Sequence, residues 1–291
     1  MKRTRLSIAK PDIVKLFNQL PARVFRRMEI AQILGENREF WRLAQRETVT
    51  SFIEFLRKNA GLRRVQLKFP SRPETRYVWG KVPMFELLQR VSPNAYFSHF
   101  TAMQLHEWTD QIPKTIFMND EQSPKPPPSM GLAQERIDAA FKRAPRRTSR
   151  IAEYEGYRVC MLSGKQSGQL GVIDGTAQDG SKVRVTNAER TLIDITVRSY
   201  YAGGVSEVLE AFRRAQPNVS VNRLCAYLSE LNYVYPYHQA IGFYLERAGN
   251  YRESQMRLLQ KPGMEFDFYL AYQMAETSYS KTWRLHFPKG L

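Results

Sequence analysis

The 291-residue sequence predicts a mixed α/β (α+β) protein in two parts, residues 1–80 and 81–291. Three observations carry that expectation. Helical apolar stripes lead into an alternating strand pair within the first eighty residues, positive charge concentrates in the same stretch, and beyond Gly80 short strand patterns give way to a run of helical ones. Residues 1–80 hold 18 Lys or Arg against 7 Asp or Glu, so 11 of the 16 net positive charges sit there. A small basic unit on an otherwise mildly charged chain points to a polyanionic partner, because clustered Lys and Arg displace counterions condensed on a phosphate backbone.

In the basic part, Ile13, Val14, Leu16, Phe17 and Leu20 lie at helical spacing over Pro11–Leu20, with Pro11 suited to a first turn and Pro21 closing the segment. Met28, Ile30, Ala31, Ile33 and Leu34 predict a second helix ended by Gly35. The stretch up to Glu47 exceeds a minimal turn and predicts a short extra helix, with Arg38, Arg42 and Arg46 on one face because they are four apart. Val49, Phe52, Ile53 and Leu56 mark a third helix over Glu47–Asn59, and Gly61 ends it. Packing that stripe inward leaves Thr50, Ser51, Glu54, Arg57 and Lys58 outside. Short hydroxyls near a helix start and cations further along suit entry into a major groove by the N-terminal end, although a plain solvated face would carry the same residues.

After Gly61 the period changes to two. Val65, Leu67 and Phe69 alternate with Arg64, Gln66 and Lys68, and the turn Pro70–Thr75 leads to a second strand, Arg76–Trp79. Three helices followed by a hairpin is the winged helix-turn-helix order. Arg72 at the tip, with Lys68 and Arg76 beside it, supplies wing cations expected to grip backbone or minor groove.

The second part opens with helices predicted at Pro83–Val91 and Ser98–Glu107 and a strand at Thr115–Met118. Ser123–Ser129, rich in Pro, reads as a stiff surface loop. Strands are predicted at Tyr157–Leu162, Leu170–Ile173 and Lys182–Val185. Helices follow at Ala188–Val197, Val205–Ala215, Val221–Leu231 and Gln239–Ala248, then late strands at Phe266–Leu270 and Thr282–His286. In Thr186–Asp194, Thr186 and Glu189 have capping-box spacing, and Arg190 and Asp194 can pair across one turn. Ser98, His99, Thr101 and His106 read as groups that cap and pack a helix.

Two stretches, Tyr96–Trp108 and Val185–Asp194 with Gly203-Gly204 beyond it, resemble signature segments of the AbiEi family. That family comprises antitoxins and autorepressors of type IV toxin-antitoxin (abortive infection) systems. The resemblance implies a winged helix that binds inverted repeats of double-stranded DNA in its own promoter. It also implies a C-terminal domain opposing a nucleotidyltransferase-like toxin, with or without a direct complex, and self-association on DNA. The head departs from the compact form of the family by its extra length.

Other function classes find little support. The basic N-terminus lacks the apolar stretch of a signal peptide and no run could span a bilayer, so a soluble cytoplasmic protein without membrane partners is expected. Cys160 and Cys225, far apart, make neither a disulfide framework nor a zinc site. No P-loop, His-Glu-x-x-His, Gly-x-Ser-x-Gly or dinucleotide fingerprint is present, and no catalysis, metal or cofactor is expected. Two alternatives remain: a metal-dependent nuclease around Asp174 or Asp179-Gly-Ser-Lys182, whose spacing is one residue off, and an RNA binder stacking bases on Tyr77 and Trp79.

Overall fold

The structure, a computed structural model, describes residues 4–124 and 131–291. Its first helix, α1 (Arg5–Gln19), begins earlier than the periodicity predicts. The Thr4 hydroxyl accepts from the Ser7 N–H at 3.2 Å, and this cap lets Leu6 and Ala9 join Ile13 and Phe17 in one buried stripe. Pro11 therefore lies inside the helix, not in its first turn. It is exposed, as is Ser7, whose carbonyl the missing N–H would have met, so water can serve that carbonyl.

Next come β1 (Val24–Phe25), α2 (Arg27–Asn37), α3 (Val49–Asn59), β2 (Leu62–Lys68) and β3 (Pro73–Trp79). The strands form one antiparallel sheet in the order β1-β3-β2, and the unit is a winged helix-turn-helix with β2-β3 as its wing. The short helix expected between α2 and α3 does not form. Arg38 folds back and donates to the carbonyls of Ala44 (2.6 Å) and Glu47 (2.9 Å), while Arg42 takes a left-handed conformation with φ of 50°. Arg38, Arg42 and Arg46 consequently share no helical face.

The larger part follows as α4 (Met84–Gln89), β4 (Tyr96–Phe97), α5 (His99–Leu105), β5 (Thr115–Glu121), α6 (Gln134–Lys142), β6 (Ile151–Tyr154), β7 (Tyr157–Gly164), β8 (Val172–Thr176) and β9 (Lys182–Thr186). Helices α7 (Ala188–Val197), α8 (Val205–Ala215), α9 (Val221–Leu231), α10 (Tyr237–Ala248) and α11 (Glu253–Gln260) come next, then β10 (Phe268–Tyr269), β11 (Thr277–Ser280) and β12 (Leu285–Pro288). From residue 125 the Pro-rich loop lies outside the described residues. A six-stranded mixed sheet, β6-β7-β5-β4-β9-β8, forms the centre, with β5 parallel to β7 and β4 to β9. Helices α7 to α10 build the largest core around Phe212, Tyr244 and Trp283. Helix α7 is enclosed rather than amphipathic, since every residue from Glu189 to Thr196 is buried. Among the described residues no helix is long and apolar enough to cross a membrane.

The wing sheet has two apolar faces. Leu62, Tyr77 and Trp79 face the helices of the head, whereas Val65, Leu67, Phe69 and Val78 pack with Leu88, Phe97, Ile116, Met118 and Met161 of the larger part. At roughly 1.5 to 3 kcal/mol for each buried apolar side chain, these contacts join the two parts through a shared core and not through a linker.

Candidate nucleic-acid interface

Thr48 caps α3, and Ser51 completes the cap: the Ser51 N–H donates to Thr48 Oγ1 at 3.1 Å, and the Thr48 N–H donates to Ser51 Oγ at 3.0 Å. The Ser51 hydroxyl also bonds to the Glu47 carboxylate, which holds it at the helix start. One residue earlier, exposed Thr50 accepts from Arg27 Nη2 at 2.7 Å. Arg27 is the first residue of α2, so this bond ties the two helices of the helix-turn-helix at their N-terminal ends. Further along α3, Arg57 pairs with Glu54 at 2.7 Å, while Lys58 is exposed and free of ion pairs among the described residues.

The strand register sorts the wing cations. Leu62 pairs with Trp79, Arg64 with Tyr77, Gln66 with Thr75 and Lys68 with Pro73, so Arg64 and Lys68 share the face that packs on the helices. Both are exposed, Arg64 level with Tyr77 and Lys68 toward the wing tip; Arg72 in the turn and Arg46 in the α2–α3 connection are exposed too. None of the four has an ion pair among the described residues.

Arg76 does not belong with them. It pairs with Val65, on the opposite face, and is only 5% exposed. Its guanidinium donates to the carbonyls of Arg90 (2.6 Å), Val91 and Thr75 (2.7 Å) and to Glu74 (3.1 Å). Burial pulls its pKa below the ordinary arginine value, with Glu74 opposing. The wing cation expected from sequence is therefore a clamp holding the wing to the turn after α4. Arg76→Met is expected to destabilise the protein by about 2 to 3 kcal/mol, because buried carbonyls lose a charged donor. Urea unfolding measures it, and a change below about 0.5 kcal/mol would refute the clamp.

Arg26 and Arg27 enter a cleft of about 490 Å³ between the start of α2, the wing tip and the larger part, together with Arg72 and Arg150. Glu74 and Asp120 are its acidic lining residues, and Arg76 borders it. The sequence reading missed Arg26 and Arg27, although their place immediately before the second apolar stripe marks the exposed positive end of a helix dipole. Arg42, by contrast, lines a separate groove beside α1.

The motif residues of the larger part are tied to one another and to the backbone. Arg190, 2% exposed, donates from Nε to Asp194 at 2.9 Å and from Nη1 to Ser167 Oγ (3.0 Å) and the Leu170 carbonyl (2.8 Å). Burial opposes its charge, but Asp194 prevails and raises its pKa. Thr186 does not cap α7 and forms no capping box with Glu189. It ends β9, with Oγ1 against Thr191 at 2.7 Å, and the cap is Asn187, whose side-chain oxygen accepts from the Arg190 N–H at 3.0 Å. Glu189 instead receives the Ser220 N–H at 2.8 Å at the start of α9. Ser98 stands at the cap position of α5, yet its hydroxyl bonds to His99 Nδ1 at 2.9 Å and makes no capping bond. Burial drives His99 well below the usual histidine pKa, with Arg198 and Arg190 adding to the effect. Thr101 Oγ1 accepts from the Phe117 N–H at 2.8 Å, and His106 donates from Nε2 to the Thr186 carbonyl at 2.7 Å while stacking on Trp108.

The features behind the two alternatives occupy other surroundings. Asp174 pairs across a hairpin with Arg184, and Asp179 accepts from the Ser181 N–H in its turn. No cluster of three or more His, Cys, Asp or Glu suited to a metal occurs among the described residues. Tyr77 and Trp79 are buried at 8% and 4% exposure, and the Trp79 indole donates to Asn18 Oδ1 at 2.7 Å, so neither ring offers a stacking face.

No protein-family model and no curated protein matches the sequence. Among solved structures the chain is similar to the RV2827C protein from Mycobacterium tuberculosis, with a TM-score of 0.61 and 14% identity over 96% of this chain and 91% of that one. At that identity the likeness concerns the fold, and it extends across both parts.

Proposed function

We propose that the chain is a sequence-specific, double-stranded DNA-binding transcriptional repressor that acts in the cytoplasm as the antitoxin of a type IV toxin-antitoxin system. In this reading its winged helix holds promoter repeats, and its larger part opposes a nucleotidyltransferase-like toxin. One observation supports the DNA reading above the others: the first turn of α2, the first turn of α3 and the wing tip converge through the Arg27–Thr50 bond and the Arg26–Arg27–Arg72 cleft, while Arg64 and Lys68 stand exposed on β2 of the wing. Exposed cations without ion pairs among the described residues, near a capped helix start, suit the division between backbone-holding and base-reading groups. The antitoxin role is drawn from the two AbiEi-like segments.

Anisotropy titrations of the full chain on its upstream duplex and on a scrambled duplex test the reading. Lys58→Ala is expected to weaken both equally and lower the salt slope by about one unit. Thr50→Val is expected to relax preference at one base pair by about 1 to 3 kcal/mol. Equal wild-type affinity for both duplexes would defeat the repressor. Continued growth arrest on co-expression of the full chain with the adjacent gene product would defeat the antitoxin.

A further inference from the structure

The groove beside α1 has a volume of about 580 Å³ and lies between α1 and the α2–α3 connection. Its walls carry Ile8, 64% exposed, and Phe40, 74% exposed, two of the most exposed large apolar side chains among the described residues. The loop that presents Phe40 is firmly held. The N–H groups of Trp41, Arg42 and Leu43 donate to the carbonyls of Asn37 (2.9 Å), Glu39 (2.9 Å) and Arg38 (3.0 Å), and Arg5 Nη1 reaches the Arg42 carbonyl at 3.4 Å. Beneath it Trp41 is buried and stacks on Phe52 with ring centroids 5.7 Å apart. An aromatic ring is thus held in water by fixed backbone, a rigid anchor that loses little entropy when covered.

The charges indicate what covers it. Arg5 and Arg42 line the groove together with Asp12, and Glu36 near the end of α2 and Glu39 on the turn after it are exposed. Such a mixture is unlike the uniformly positive surface that a phosphate backbone selects. In an isologous contact residue i of one copy meets residue j of the other and j meets i, so Asp12 and Arg42, of opposite sign and on the two walls of one groove, can each meet the other's counterpart across a two-fold axis. We propose that this groove is the contact between two copies of the chain. Phe40 of each copy enters the groove of the other beside Ile8, and Asp12 faces Arg42 of the partner subunit. Arg42 then serves self-association and not DNA.

Self-association through this groove requires no nucleic acid and is measured on the protein alone. Sedimentation velocity of the full chain from about 1 to about 100 µM is expected to follow a monomer–dimer equilibrium, with Phe40→Arg raising the dissociation constant about 100-fold. Ile8→Glu, also at an exposed position, is expected to act alike, which guards against a folding defect in either variant. Asp12→Arg and Arg42→Asp are each expected to weaken the dimer, and their combination to restore it. A chain monomeric throughout that range, a dimer indifferent to Phe40→Arg and Ile8→Glu, or a charge swap that fails to restore would overturn the proposal.

Discussion

Replacing Arg27, Lys68 and Arg72 together by Ala is expected to weaken duplex binding by about three orders of magnitude at 50 mM salt, because each released phosphate contact contributes about 0.9 to the slope of log K against log salt. Three contacts amount to a slope change of about 2.7, and the loss shrinks toward nothing near 1 M salt. All three side chains are exposed, so the folded state should keep its stability within about 0.5 kcal/mol. The contrast with Arg76 sharpens the test: its loss should lower stability while leaving the salt slope of the folded protein unchanged. Titrations at several salt concentrations decide the matter. A triple variant with the wild-type slope would remove the wing and the start of α2 from the interface.

Asp194→Ala is expected to cost about 3 to 5 kcal/mol of stability, the range for stripping one partner from a buried ion pair. Arg190 would stay buried against Ser167 and Leu170 with no carboxylate bonded to it, inside a helix enclosed on every side. The double change Arg190→Met with Asp194→Leu should recover a large part of the loss, since no buried charge is then left alone. Recovery should be incomplete because Ser167 and the Leu170 carbonyl lose their donor. Chemical unfolding of both variants measures this. A loss below about 1 kcal/mol in Asp194→Ala would show that the guanidinium finds water or another acceptor.

The legibility of the fold followed the length of each apolar pattern. Helices α7, α8 and α9 have the predicted limits, because each carries several apolar residues at helical spacing. Strands β1 and β4, two residues each, and helix α6, whose buried residues are Ile137 and Phe141 alone, offer too few periods to stand out. Among the candidate interface residues, the exposure of Arg64, Lys68 and Arg72 was readable from strand alternation and turn chemistry. Arg76 was readable in principle, since it shares parity with Val78, but the hairpin's second apolar face shows only when a second sheet packs against it. Arg26 and Arg27 gained meaning from the approach of the wing tip and α3, neither of which is near them in sequence.

By itself, then, the amino-acid order determined where most of the long helices lie, the basic character of the head and the order of helices and hairpin, because these depend on neighbours within a few residues. The pairing of cations with carbonyls, carboxylates or open water was decided by tertiary structure. Arg76 and Arg72 have nearly the same local sequence signal, yet one is buried against the turn after α4 and the other lies at a solvent-facing tip, and the free energy of a charge depends on that surrounding.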